Sequence, residues 1–313
     1  MSTLVLGTVT GLAAAVAFAL AYLAGRAWTV KHGGQALGLF MITHAMAAVV
    51  ALPVACWQWP EPAVRANALA WLLPLLACKA GYLGGQLCLI LALHREEASR
   101  VGPLLGLKII FVPLLSWAIL GDAQRPLQWL AVLLALASAF ALSRVGGRVS
   151  LKALLAALGA ALGYAVFDVH AQQLIDVLQP GATAAQSTRV ATWCVSVVLV
   201  TSGALSLLGL ALRRRPSADW RAALPHAAAS LMSLYLLFVT FGLVGIVYGN
   251  ILIASRSLMG IALGALVARL GHHHLEEPAS PSVVARRTLA AGFLAVAIVL
   301  HAAHDRITTW LMS

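Results

Sequence analysis

Polar residues are sparse along this chain, and they fall mainly in short breaks between long apolar runs. A bilayer core is crossed by about 20 apolar residues in helical form. Runs of about that length lie at roughly residues 3–24, 35–57, 68–92, 101–120, 128–143, 153–176, 190–211, 226–244, 247–269 and 284–303. Each is predicted as a transmembrane helix, and they are numbered here as spans one to ten. Together they use most of the chain and leave no room for a soluble domain. The first run has no basic n-region and is too long for a signal-peptide core, so it reads as an uncleaved first span.

Composition agrees: 61% of the 313 residues are hydrophobic and 10% are charged, which no soluble domain of this size matches. The net charge of +11 does not point to nucleic acid, because the basic residues are scattered over short loops. Loops after odd-numbered spans hold fourteen Lys and Arg, against four in the loops after even-numbered spans and the tail. The positive-inside rule then places both termini outside the cell membrane. Cys56, Cys78, Cys88 and Cys194 fall in or at the ends of spans with no metal-ligand spacing, and read as small buried apolar residues.

The informative polar residues are those inside spans. Lys79 lies in span three and shares a face with Tyr82 and Gln86 at i, i+3, i+7. Lys108 lies in span four and Arg256 in span nine. Span six carries Tyr164, Asp168 and Gln172 at i, i+4, i+8, and Asp168 is the only acid deep in any span. A charge at that depth costs at least about 2.5–3.5 kcal/mol, so each needs a partner, a cavity or a ligand. For Asp168 an ion pair with Lys79 or Arg256 and a proton-carrying role both stay open. His44 in span two is either a proton site or a hydrogen-bonded packing residue. Glycines four apart (Gly81/Gly85, Gly102/Gly106, Gly159/Gly163, Gly260/Gly264) allow close helix approach, and Pro113 should bend span four.

Spans four and nine look like counterparts. Each begins with Val and a nearby Gly, carries one cation in its first half and ends in Leu-Gly. This predicts two five-helix repeats, residues 1–146 and 147–313, on either side of the Gly-containing linker Arg144–Lys152. Five is odd, so the second repeat would be inverted, an arrangement of secondary transporters whose substrate site lies near the midplane.

The block Ala98-Ser99-Arg100-Val101-Gly102-Pro103-Leu104-Leu105, a Pro-bearing span, and Leu120-Gly121-Asp122 resemble the EamA-type drug/metabolite transporter superfamily. That resemblance covers the whole chain in layout and is motif-specific over residues 97–143. It implies ten spans in two five-helix repeats and transport of a small molecule. The organophosphate translocator branch is a more distant likeness: it binds phosphate with a lysine on span four and a basic pair on span nine. Lys108 and Arg256 sit on the matching spans, but Ser255 stands where the pair's other member would be. The likeness implies an anionic substrate. The second half departs from the pattern, because Leu270-Gly271 is followed by three histidines and Glu276-Glu277.

His272, His273 and His274 with Glu276 and Glu277, and His301 with His304 and Asp305, suggest metal binding. By the charge bias the two clusters lie on opposite sides of the membrane and cannot join, so no metal site, cofactor or enzyme is expected. No HExxH, GxSxG or P-loop motif is present. The expected protein is an all-α, multi-pass, inner-membrane secondary transporter for a small anionic metabolite, phosphorylated or carboxylated. Lys79, Lys108 and Arg256 would bind the anion or pair with Asp168 in the empty state, with Lys108 and Arg256 at one site. Tyr82, Gln86, Tyr164 and Gln172 would line it. An amino-acid or drug exporter of the same superfamily is the alternative, and a membrane metal-binding protein the remote one.

Overall fold

A computed structural model describes residues 2–32, 36–58, 68–93, 104–142, 150–178, 184–212, 219–269 and 289–303. Regular structure among them is entirely helical. The helices are α1 (Thr3–Lys31), α2 (Ala36–Trp57), α3 (Ala68–Leu93), α4 (Lys108–Leu120), α5 (Pro126–Leu142) and α6 (Leu151–Leu178). They continue with α7 (Ala184–Leu212), α8 (Trp220–Val244), α9 (Ile246–Ala254), α10 (Arg256–Arg269) and α11 (Leu289–Ala303). Each of the ten expected segments therefore holds helix. Among the described residues six stretches are long and apolar enough to cross a membrane: Thr3–Trp28, Leu37–Trp57, Leu69–Leu89, Leu151–Leu178, Gln186–Leu212 and Trp220–Val244.

Side-chain size is distributed as lipid solvation requires. Ala14, Ala15, Ala131, Ala135, Ala157, Ala161 and Ala165 are fully buried, whereas Val49, Leu73, Trp117 and Val299 are exposed. Burying large apolar groups gains little where the surroundings are hydrocarbon, so small residues line the helix contacts and allow close backbone approach.

Two compact units can be distinguished. One comprises residues Met1–Leu69, Ile175–Leu243 and Arg256–Ala279, and the other Ala70–Leu174, Val244–Ser255 and Ser280–Ser313. Each draws helices from both halves of the chain.

In the first unit α2 packs along α7. The approach is closest at Gly203, where a Cβ would stand 2.2 Å from Ala48 Cβ and 2.7 Å from the His44 carbonyl oxygen. α10 lies on α1. α8 is tied to α1 by His226 Nδ1 at 2.8 Å from the Ala21 carbonyl and by Thr240 donating to Thr10 at 3.1 Å.

In the second unit α3 and α6 meet backbone to backbone. A Cβ on Gly163 would stand 2.6 Å from Gly85 N, and one on Gly81 2.7 Å from Phe167 N. The two glycine pairs expected to allow close packing thus pack against each other. α4 contacts α5 and α9. α11 is joined to α5 by Ser138 Oγ donating to the Ala290 carbonyl at 2.8 Å, and to α9 by a parallel Tyr248–His301 stack at 5.0 Å. Ser138 gives span five a buried polar contact that its apolar sequence does not advertise.

The structure differs from expectation at several spans. α1 runs on through Arg26 to Lys31, because no breaker precedes Gly33-Gly34. α8 starts at Trp220, capped by Asp219, whose Oδ1 accepts from Ala222 N at 3.0 Å. Span four is interrupted before Pro113, at Gly106–Leu107. There Leu107 N bonds back to Leu104 O at 3.2 Å and Ile109 N to Gly106 O at 3.1 Å, the tighter i→i−3 pattern. Span nine is likewise interrupted, at Ser255, whose N–H reaches Leu252 O at 3.1 Å. Spans eight and nine are separated only by Gly245, at φ 75°, a conformation that glycine adopts without strain. α4 ends at Gly121, φ 73°, whose N–H reaches Trp117 O at 3.1 Å, so Leu120-Gly121 is a helix stop.

Candidate functional site

Both break-points precede a cation. Lys108 is the first residue of α4 and Arg256 the first residue of α10. A helix start carries partial positive charge in its first turn, even where, as at α4, the Ile109, Ile110 and Phe111 N–H groups bond back across the break. Each cation therefore adds a full charge to an already electropositive turn.

Lys108 and Arg256 belong to different units, and each is accommodated differently within its own. In the second unit Lys108 Nζ forms an ion pair with Oδ2 of Asp168 on α6. The Asp168 side chain is fully buried and that of Lys108 is 14% exposed. Neither carboxylate oxygen accepts a well-directed hydrogen bond among the described residues, so the Lys108 charge is the main compensation Asp168 has there. Within its own unit Asp168 is thus paired with Lys108.

In the first unit the Arg256 guanidinium lies over two rings of α1, 5.8 Å from the Phe18 centroid and 5.7 Å from the Tyr22 centroid. Within that unit no carboxylate among the described residues forms an ion pair with it. Phe18 and Tyr22 are one helical turn apart and face the same way. Their span reads from sequence as a charge-free scaffold helix, and the only available signal was two aromatics at i, i+4.

The remaining candidates are placed as follows. Lys79 is buried on α3. Tyr82, half-buried, packs its ring 5.1 Å from Phe167, and the Tyr164 ring lies over Gly85. Both tyrosines therefore contribute to the α3–α6 seam. Gln86 and Gln172 are half-buried in the second unit, and His170 on α6, in the same unit, bonds Gln173 at 2.7 Å. His44 is buried in the first unit. Its Nδ1 is 2.8 Å from the Phe40 carbonyl and its ring 4.2 Å from that of Phe40, a packing arrangement within α2.

Other buried polar contacts were not foreseen. Ser196 and Tyr235 hydroxyls are 2.7 Å apart, and Thr192 donates to Gln58. Residues 272–277, 304 and 305 lie outside the described residues. His301 is buried against Tyr248. Among the described residues no cluster could hold a metal ion.

Residues 5–144 match the model of the EamA-like transporter family. No curated protein matches the chain. A solved structure, titled only as the crystal structure of a protein, is similar at a TM-score of 0.64 and 18% identity, covering 91% of this chain and 96% of its own. At that identity the likeness is one of fold. Over residues 5–144, somewhat less than half of its length, the chain is similar to the EamA-like transporter family.

Proposed function

We propose that this protein is an inner-membrane secondary transporter of a small anionic metabolite, phosphorylated or carboxylated, working by alternating access. Ten spans would form two inverted five-helix repeats, residues 1–146 and 147–313, with both termini outside. Coupling would be to a gradient or to exchange, since no nucleotide-binding motif is present. The observation that carries the reading is the placement of Lys108 and Arg256, each opening a half-helix that starts inside a span. Discontinuous helices whose positive ends face anionic groups are how transporters of several folds build their sites. A lysine offers a point charge and an arginine a planar fork, both suited to carboxylate or phosphate.

The Lys108–Asp168 pair also favours a second reading, an amino-acid exporter. A zwitterion presents one group of each sign and could exchange partners with both residues.

Thermal-shift measurements on the purified protein separate these classes. Phosphorylated, carboxylated, zwitterionic and cationic metabolites would each be tested at the same concentration. A ligand present at a hundredfold excess over its Kd stabilises by about 2.7 kcal/mol. Stabilisation by cations alone would defeat the anion reading.

A further inference from the structure

Asp168 is a carboxylate held against Lys108 with no exposure to solvent. Its other oxygen accepts no hydrogen bond among the described residues, and α6 is fixed to α3 through glycine contacts that leave little room for it to shift. The acid is thus presented on a rigid wall, while Lys108 sits at the start of a half-helix beside a two-residue break. In charge and geometry the carboxylate occupies the place that a substrate anion would take.

We infer that Asp168 is a built-in stand-in for the transported anion, which leaves Lys108 by taking up one proton, so that each negative charge bound there enters with one proton. This rests on the anion-transport reading and adds its coupling ion.

The argument is one of charge balance. Before binding, the site holds one ammonium and one carboxylate, and its net charge is zero. If a singly charged anion takes Lys108 while Asp168 stays ionised, a carboxylate is left buried without its counter-charge, the most expensive of the available states. If a proton from water ends on an Asp168 oxygen, the site holds an ammonium, a bound anion and a neutral acid, and the net charge is again zero. No bond of the substrate breaks, and the neutral acid gains an O–H donor for the anion it admits.

The titratable groups on the elements packed around Asp168 are Lys108 on α4, Cys78, Lys79, Tyr82 and Cys88 on α3, and Lys152, Tyr164, His170 and Asp176 on α6 itself. Cys78 is close enough to interact with the Asp168 charge. Among the described residues Lys79, on the same α3 that packs against α6, is a further buried cation to which the displaced carboxylate could turn. In that case no proton would be needed, so a proton count decides between the two.

The test is calorimetric titration of the full-length protein in detergent with lactate, succinate, inorganic phosphate and alanine. Each is repeated in buffers of different ionisation enthalpy, which gives the protons taken up per ligand bound. About one proton per lactate is expected, with lactate affinity weakening about tenfold per unit rise in pH over the range of uptake. Asp168→Asn should bind lactate without uptake and without that pH dependence, and Lys108→Gln should lose binding. Anion binding by the wild type with no proton uptake overturns the inference and leaves the anion reading standing. Binding of alanine alone, or of none of the probes, sinks the anion reading and the inference with it. The wild-type count decides even if Asp168→Asn does not fold.

Discussion

Removing both partners of the Lys108–Asp168 pair should destabilise the protein by less than the two single losses added together. Asp168 has no exposed surface and Lys108 only 14%, so either residue left alone is a charge in a poorly solvated place. Breaking a buried pair in this way costs about 3–5 kcal/mol. The two single variants should differ. Lys108→Met strands a carboxylate that cannot reach water, and its loss belongs at the upper end of that range. Asp168→Asn removes the counter-charge of an ammonium on a long flexible stem that can turn toward its exposed side, so it should lose less. The double variant leaves no charge behind and should lose less than the sum of the singles by at least about 2 kcal/mol. Reversible unfolding in mixed micelles, followed by circular dichroism over a range of pH, measures all three variants. Losses that simply add, within about 0.5 kcal/mol, would mean that the two charges do not support each other, and the ion-pair argument would fail.

Gly163→Ala places a Cβ 2.6 Å from Gly85 N, and backbone cannot yield as a side chain can. It should cost about 1–3 kcal/mol, whereas Gly84→Ala, which meets nothing within 4 Å, should be neutral or stabilising by up to about 1 kcal/mol; equal melting temperatures would refute the backbone contact. Asp219 is held below its ordinary 3.8 mainly by the Ala222 N–H, opposed by partial burial and helped by Lys31 and His32. A depressed carboxylate contributes stability above its unfolded-state value that is lost as the pH falls through the lowered one, so Asp219→Asn should flatten the acid limb of the melting curve; an unchanged limb would refute it. Arg256→Lys keeps the charge but not the planar face over Phe18 and Tyr22, and should cost about 0.5–2 kcal/mol, read from the same unfolding curves. A C-terminal reporter active only in the cytoplasm should stay dark, and a bright one would reverse the orientation.

Much of the helical layout was legible because its determinants are local. Apolar runs, the glycine pairs and the stop at Leu120-Gly121 need no knowledge of distant residues, and the Gly81/Gly85 and Gly159/Gly163 spacings correctly announced a close helix contact. The interruptions were not legible. Ser255 is flanked by neither Gly nor Pro, and Pro113, the obvious breaker of span four, lies inside an unbroken stretch of helix. What the sequence hides is tertiary choice: three cations were open to Asp168, and spacing within one helix says nothing about which of them a neighbour presents. Phe18 and Tyr22 stayed unremarked for the same reason, since an aromatic pair becomes informative only once a guanidinium is placed over it.

The two cations also differ in a way that explains their surroundings. An ammonium is a compact and strongly hydrated charge, and removing its water calls for an opposite charge close by. A guanidinium is planar, delocalised and weakly hydrated, so aromatic faces can replace part of its solvation. Lys108 meets a carboxylate on α6, and Arg256 meets two rings on α1. In the repeat we propose, α1 and α6 are counterparts, as are the spans that carry the two cations. Equivalent positions would then have reached two solutions to the same desolvation problem, with opposite consequences for a ligand. The lysine's charge is already answered inside the protein and becomes available only by displacing an acid. The arginine's charge is supported but not cancelled by its rings, and it keeps its attraction for an anion throughout.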